Sequence, residues 1–184
     1  VIRSSSNAYN QSLMTTIIAA NGAEASKAWA AAVRGNMARP PQGSDRDQIR
    51  AVAAGLADIA LANTYYLGLL ETSEEANDRE AASKVKIFFP NQEGRGAHVN
   101  ISGVGLVKGT EKAELAQEVI AFLLSEEVQS MYPENTFEYP VNPKAGWSEN
   151  QKKWGEFKRD EVSLSTLGDL TAEAVRLFNE AGWE

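Results

Sequence analysis

From Asn10 to about Val33 the apolar positions recur at three- and four-residue spacings, first Leu13, Ile17 and Ile18, then Ala25, Ala28, Trp29, Ala32 and Val33. That period is helical, and Asn21-Gly22 in its middle makes it a helical hairpin. The cluster Arg39-Pro40-Pro41-Gln42-Gly43 breaks the chain. After it, Ser44 or Asp45 caps a helix running through Ile49, Val52 and Ala53 to a stop at Gly55. The pattern then changes: residues 58–62, Asp-Ile-Ala-Leu-Ala, form a short apolar run suited to a buried strand that stops at Asn63. An acidic, Ala-rich helix is expected near residues 73–82, and residues 85–89 read as a strand ended by Pro90. A loop with two glycines leads to two further strands, residues 98–101 and 103–107, in which Gly103 and Gly105 weaken the alternation. Residues 111–124 carry the clearest helical stripe, with Leu115, Val119, Phe122 and Leu123 on one side. A short helix runs from there toward Tyr132, and the last helix covers roughly residues 167–180. Strands alternating with helices predict an α/β architecture with a mostly parallel sheet. Val1-Ile2-Arg3 reads as the end of a strand entering a Ser-rich turn, and the absence of an initiator Met makes the sequence read as a fragment.

Composition narrows the chemistry. With 184 residues, 43% of them hydrophobic, the chain can bury a sizeable core as one large domain or two small lobes. Its formal charge is -7, with both signs interspersed, which argues against a nucleic-acid or anionic-membrane partner. No stretch approaches the roughly 20 apolar residues that insertion across a bilayer needs. The absence of cysteine excludes disulfides, thiolate zinc sites and a cysteine nucleophile. His98 is the single histidine, so no two-histidine metal motif exists, and a hydrolase would have to combine it with Ser4, Ser5 or Ser6. No G-x-S-x-G pattern supports that enzyme. A metal, if bound, must be held mainly by oxygen.

Asn63-Thr64-Tyr65-Tyr66 follows the apolar run directly. Ligand groups collect at strand ends in open α/β sheets, and the curl after a strand lets adjacent tyrosines converge where a straight strand would oppose them. A highly charged hard cation such as ferric iron can deprotonate a phenol to a hard anionic donor. Half-buried packing with wet hydroxyls is the plainer use of such a pair. A second cluster, Arg3-Ser4-Ser5-Ser6-Asn7-Ala8-Tyr9-Asn10, places hydroxyls and free N–H groups before a helix. That is an anion site on physical grounds, or simply a helix cap. If turn and strand end are neighbours, Tyr9, Tyr65 and Tyr66 share one site, with a small anion held by Ser4 to Asn7. His98 reads as a satisfied structural histidine, Gly94-Arg95-Gly96 lacks phosphate-loop spacing, and Asp45, Asp47, Glu74, Glu75 and Asp78 need no function.

Taken in order, residues 3–13, residues 39–55 and the stretch Ala62-Asn63-Thr64-Tyr65-Tyr66-Leu67-Gly68 closely resemble the bacterial periplasmic ferric-iron-binding proteins. Ile101-Ser102-Gly103-Val104-Gly105-Leu106-Val107, Tyr139-Pro140-Val141-Asn142-Pro143 and the ending Ala181-Gly182-Trp183 are similar as well, so the resemblance covers the whole sequence. It implies a two-lobe α/β fold of the type 2 periplasmic-binding-protein kind, one lobe complete and the other partial. Residues 3–94 with 147–184 would form the anion- and iron-binding lobe, residues 97–146 part of the second lobe, and the crossover would lie near residues 94–97. Family members are longer, the remainder preceding Val1. The family's adjacent tyrosines fall on Tyr65 and Tyr66, its further tyrosine on Tyr9, and its anion-binding groups on Ser4, Ser5, Ser6, Asn7 and Asn63. The resemblance implies a binding protein rather than an enzyme: a periplasmic carrier of Fe(III) with a synergistic carbonate or phosphate, serving an inner-membrane ABC permease. The alternative is the same fold carrying a small organic solute such as a phosphonate or polyamine.

Overall fold

The computed structural model describes residues 1–183, in which ten helices are joined by extended segments and turns. The N-terminal hairpin consists of α1 (Ala8–Asn21) and α2 (Ala23–Gly35), broken at Gly22 as its positive φ of 79° requires. The long α10 (Leu164–Glu180) returns to pack against both. Their shared core holds Ile2, Met14, Ile18, Ala30, Ala174, Leu177, Phe178 and Trp183. Trp183 is fully buried, edge-on to Phe178 at 4.7 Å and tilted against Trp29 at 5.8 Å. The C-terminal tail therefore closes the core that the first helix opens.

A second core is built by α3 (Asp45–Ala53), α4 (Tyr65–Glu71) and α5 (Ala76–Ser83) around Ile49, Leu67, Leu70 and Ala82. Ser44 caps α3 through a capping box: its backbone N–H donates to the Asp47 carboxylate at 2.7 Å, and its hydroxyl does so at 2.8 Å. These bonds and the nearby Arg50 guanidinium hold the Asp47 carboxyl below its usual range. Beyond the extended middle of the chain lie α6 (Ala113–Leu123), α7 (Glu126–Gln129), α8 (Met131–Asn135) and α9 (Glu149–Trp154). Pro133 sits in the first turn of α8, where its missing N–H costs no helical bond.

Several expectations need correction. Residues 58–62, 85–89, 98–101 and 103–107 lie outside the helices, yet among the described residues they form no ladder; the β-bridge found there joins Ala97 to Arg159 in parallel sense. The expected parallel sheet is reduced to that bridge and to Val1, whose amino group donates to the Ile59 carbonyl at 2.8 Å while its own carbonyl accepts from Leu61 N–H at 3.1 Å. Strand residues need a neighbour for every second backbone group, and the described residues place none beside the other segments. Several of their side chains stay open, Ile59 at 71%, Phe88 at 86% and Val107 at 76% exposure, whereas Val85 and Ile87 pack against the second core. The stripe predicted on residues 111–124 does lie on a helix, α6, but Leu115, Val119 and Phe122 are about half exposed and no residue of α6 is fully buried. α4 and α9 were not anticipated, and the short helix toward Tyr132 is split into α7 and α8.

Two contacts tie the middle of the chain to its ends. Phe137, itself at φ 59°, lays its ring on Gly68 of α4, and its carbonyl accepts from the buried Gln151 Nε2 at 3.1 Å. Gly96, at φ 97°, approaches the backbone of Lys158 and Arg159 so closely that an added Cβ would stand 2.6 Å from it. The Ala97 N–H donates to Lys158 O and the Asp160 N–H to Ala97 O, both at 2.8 Å. Arg95 braces this crossing with an ion pair to Asp160 at 3.0 Å and a bond to Thr16 O at 2.8 Å.

Candidate metal centre

The Ser-rich turn is shaped by its own side chains. Asn7 caps α1 by accepting from Tyr9 N–H at 3.0 Å, and Asn7 N–H closes the turn onto Ser4 O at 3.1 Å. The Ser4 and Ser6 hydroxyls face each other at 2.9 Å. Buried Asn10 donates to the Arg3 and Ser4 carbonyls, both at 2.9 Å, and Gln11 donates to Ser5 O at 3.2 Å. Those bonds fix where α1 begins and hence where Tyr9 points.

Tyr65 and Tyr66 open α4 immediately after the extended run. The helical curl brings their rings to 4.2 Å at 32°, on one side of the backbone. Tyr9, 56 residues earlier in sequence, meets them: its hydroxyl lies 3.0 Å from that of Tyr65. Three phenols thus converge. Burial first, then hydrogen bonding with Tyr66 and Tyr9, pushes the Tyr65 phenol above its ordinary range, so it is neutral near pH 7. Arg3 faces the Tyr66 phenol and pairs with Asp45 at 2.6 Å. The cluster consequently holds one cation suited to a phenolate, with its charge partly balanced.

Asn63 lies one turn before Tyr66, whose N–H donates to the Asn63 carbonyl at 3.3 Å. Its own N–H donates to Asp45 Oδ1 at 3.3 Å, so Asp45 links Arg3 to the start of α4. The side-chain oxygen of Asn63 accepts from Asn100 Nδ2 at 2.9 Å, while its Nδ2 is buried without a partner. An unpaired buried donor is costly and suits an anion. Of the positions singled out in the sequence, Tyr9, Tyr65 and Tyr66 come together. Asn63 is joined to them through α4, and Ser4, Ser5, Ser6 and Asn7 form the turn from which Tyr9 emerges. His98 does not meet the serines of that turn; its Nε2 lies 3.3 Å from Ser12 Oγ and 3.2 Å from Asn100 Oδ1.

Sequence reasoning missed Asp45 and Asn100 as parts of this network and read Arg3 only as the first residue of the Ser-rich cluster. Asp45 was visible only as an acidic residue in a first helical turn, and no spacing connects Asn100 to Asn63 across 37 residues. Among the described residues no group of three or more His, Cys, Asp or Glu side chains could hold a metal. The donor set available here is phenolic, and it suits a hard, highly charged ion.

A family model described as bacterial extracellular solute-binding protein matches residues 1–159. Among curated relatives, iron uptake protein A1 of Synechocystis sp. is 49% identical over all of this chain and 51% of its own length. Iron uptake protein A2 of the same organism is 39% identical over 54% of its length. The chain spans about half the length of the curated relatives it matches. A Trichodesmium protein solved in complex with iron and citrate ligands superposes with a TM-score of 0.97 at 46% identity, over 100% of this chain and 58% of that one. The ferric binding protein from Campylobacter jejuni gives 0.94 at 38% identity, over 100% and 58%. Matches of this extent make the helix-rich structure part of a two-lobe binding-protein fold. On the match over residues 1–159, the chain belongs to the bacterial extracellular solute-binding protein family.

Proposed function

We propose that this chain supplies ligands for ferric iron in a periplasmic carrier that delivers the ion to an inner-membrane ABC permease. Tyr9, Tyr65 and Tyr66 act as phenolate ligands, and the observation that carries this reading is the 3.0 Å approach of Tyr9 to Tyr65 beside the 4.2 Å Tyr65–Tyr66 ring pair. Three phenolates match a trivalent cation in charge and hardness. Asn63 and the turn of Ser4, Ser5, Ser6 and Asn7 serve a synergistic anion, carbonate or phosphate, for which the unpaired Asn63 Nδ2 is a ready donor. The relative solved with citrate makes a carboxylate anion a third option. The function is capture and release, not catalysis, in keeping with relatives named for iron uptake.

In this reading residues 3–94 with 147–184 form the iron-binding lobe, residues 97–146 belong to the second lobe, and the chain crosses near 94–97. The bridge Ala97–Arg159 supports a crossing there, and the second segment touches the first where Phe137 sits on Gly68 and where Asn100 meets Asn63. Iron binding must expel protons, because the free phenols are neutral and the ligated ones ionised. Adding ferric nitrilotriacetate with bicarbonate in weakly buffered solution near neutrality should therefore release protons as a red-purple charge-transfer band grows, and affinity should fall as pH drops. Colour-free binding, or binding without proton release, would reject phenolate ligation.

A further inference from the structure

We propose that Asn100, itself held by His98, is a positioning residue that locks the side-chain amide of Asn63 with its N–H pair free for a ligand anion. The inference rests on the iron-and-anion reading above and adds what decides the sign of the group offered there.

A carboxamide has an accepting end and a donating end of nearly equal shape, so its neighbours determine which one a ligand meets. The backbone of Asn63 is fixed on both sides, its N–H on Asp45 Oδ1 at 3.3 Å and its carbonyl on Tyr66 N–H at 3.3 Å. Only the side chain is free to turn over. Its oxygen accepts from Asn100 Nδ2 at 2.9 Å, and its nitrogen is buried and bonded to nothing. Asn100 faces the same choice one step back. Its oxygen lies 3.2 Å from His98 Nε2, which also has Ser12 Oγ at 3.3 Å. An amide oxygen can only accept, so His98 carries its proton on Nε2, and the nitrogen of Asn100 is the end turned to Asn63. Burial holds the His98 imidazole below its usual range, which leaves one N–H to donate.

The bonds run in one direction: His98 donates to Asn100, Asn100 donates to Asn63, and Asn63 is left with a donor. Each amide oxygen is occupied, and the last amide nitrogen is buried without a partner. An anion satisfies that donor with a charge-assisted bond, whereas a cation is repelled by it. The chain of amides thus reserves one position for the anion and leaves the metal to the phenols. His98 and Asn100 follow the crossing at residues 94–97, so the orienting groups reach the site from a segment remote in sequence.

Asn100→Asp tests this directly. A carboxylate at this position can only accept, so it takes the N–H of His98 and also that of Asn63, which must turn over and present its oxygen. Asn100→Leu removes the orienting bond without adding charge. Asn100 is exposed, so both variants keep the fold, which circular dichroism verifies. In protein loaded with gallium(III), a diamagnetic stand-in for ferric iron, the Asn63 side-chain amide signals are followed by 1H–15N NMR while inorganic phosphate is added. In the unsubstituted chain they should shift as phosphate binds. In Asn100→Asp they should be displaced from the start and unresponsive, with phosphate affinity lower by about ten-fold or more, and Asn100→Leu should fall between. The ferric charge-transfer band should persist in both variants. Phosphate affinities within about two-fold in all three chains, with the same Asn63 response, would overturn the positioning role alone. Absence of the charge-transfer band from the unsubstituted chain would overturn the iron reading and this inference with it.

Discussion

Gly68 lies on α4 two residues after Tyr66, and in an ordinary helix its replacement by alanine would be stabilising by about 1 kcal/mol. Here the opposite sign is expected. A Cβ on Gly68 would stand 2.6 Å from Phe137 Cδ1 and 2.7 Å from Cδ2, and closer still to Cγ. Carbon atoms in contact sit about 3.5–4.0 Å apart, so the ring must retreat by roughly 1 Å. It has little freedom to do so. Phe137 is only 6% exposed, its carbonyl is held by Gln151 Nε2 at 3.1 Å, and its ring is tilted against Trp154 at 6.2 Å. Overpacking of this kind costs about 1–3 kcal/mol, and a pinned ring belongs in the upper part of that range. The net effect of Gly68→Ala is then a loss of about 1–2 kcal/mol, or a fall in Tm of roughly 2–8 °C for a chain of this size. Urea denaturation followed by far-ultraviolet circular dichroism measures it. The same substitution in a Phe137→Ala background meets no ring and should become stabilising by up to about 1 kcal/mol. A gain in stability in the parent chain, or an equal effect in both backgrounds, would refute the packing argument.

Gly96→Ala should also destabilise, by roughly 2–4 kcal/mol, since the residue is at φ 97° and the new Cβ would meet the Lys158 and Arg159 backbone at 2.6 Å; faster hydrogen exchange at the Ala97 and Asp160 amides is the local check. Arg3→Met leaves Asp45, whose side chain is 5% exposed, with only its bond from Asn63 N–H, and should cost about 3 kcal/mol in a thermal or urea melt, against almost nothing for the exposed pair Lys152–Glu149. His98 is neutral in the fold because burial depresses its pKa, so the unfolded chain binds the extra proton first. The resulting stability is full above the unfolded value of 6.5 and is lost as pH falls from there toward the depressed value, and His98→Gln should flatten that part of a Tm-against-pH curve.

The helices were legible where spacing and caps spoke together. The Asn21-Gly22 break and a cap for α3 at Ser44 or Asp45 were both readable because each acts within a few residues; the structure puts the cap on Ser44. α4 was not, since Tyr65-Tyr66 and Gly68 favour a helix poorly and the segment is helical because Leu67 and Leu70 are buried against Ile49 and Ala82. The segments between the helices were recognised as apolar, but pairing is a property of the neighbour, and nothing in residues 58–62 announces that, among the described residues, their backbone partner is Val1. At the site, residue chemistry pointed to Tyr65, Tyr66 and Tyr9, while their meeting depends on how α1 and α4 are placed. The links Arg3–Asp45 and Asn100–Asn63 span 42 and 37 residues and leave no periodic trace.

The claim at the centre of the account is that phenolate oxygens of this cluster ligate ferric iron, and single Tyr→Phe substitutions read by visible absorption test it most directly. Phenylalanine keeps the ring packing of Tyr65 and Tyr66 at 4.2 Å and removes only the donor oxygen, so stability should change little. At matched ferric and bicarbonate concentrations, Tyr65→Phe and Tyr66→Phe should abolish or strongly shift the charge-transfer band, and Tyr9→Phe should weaken it less if water or the anion takes its place. Tyr132→Phe should leave the band alone. So should Tyr139→Phe, whose phenol burial pushes up to about 12 among Trp147 and Phe157. An unchanged band in both Tyr65→Phe and Tyr66→Phe would contradict the account and return the pair to ordinary packing.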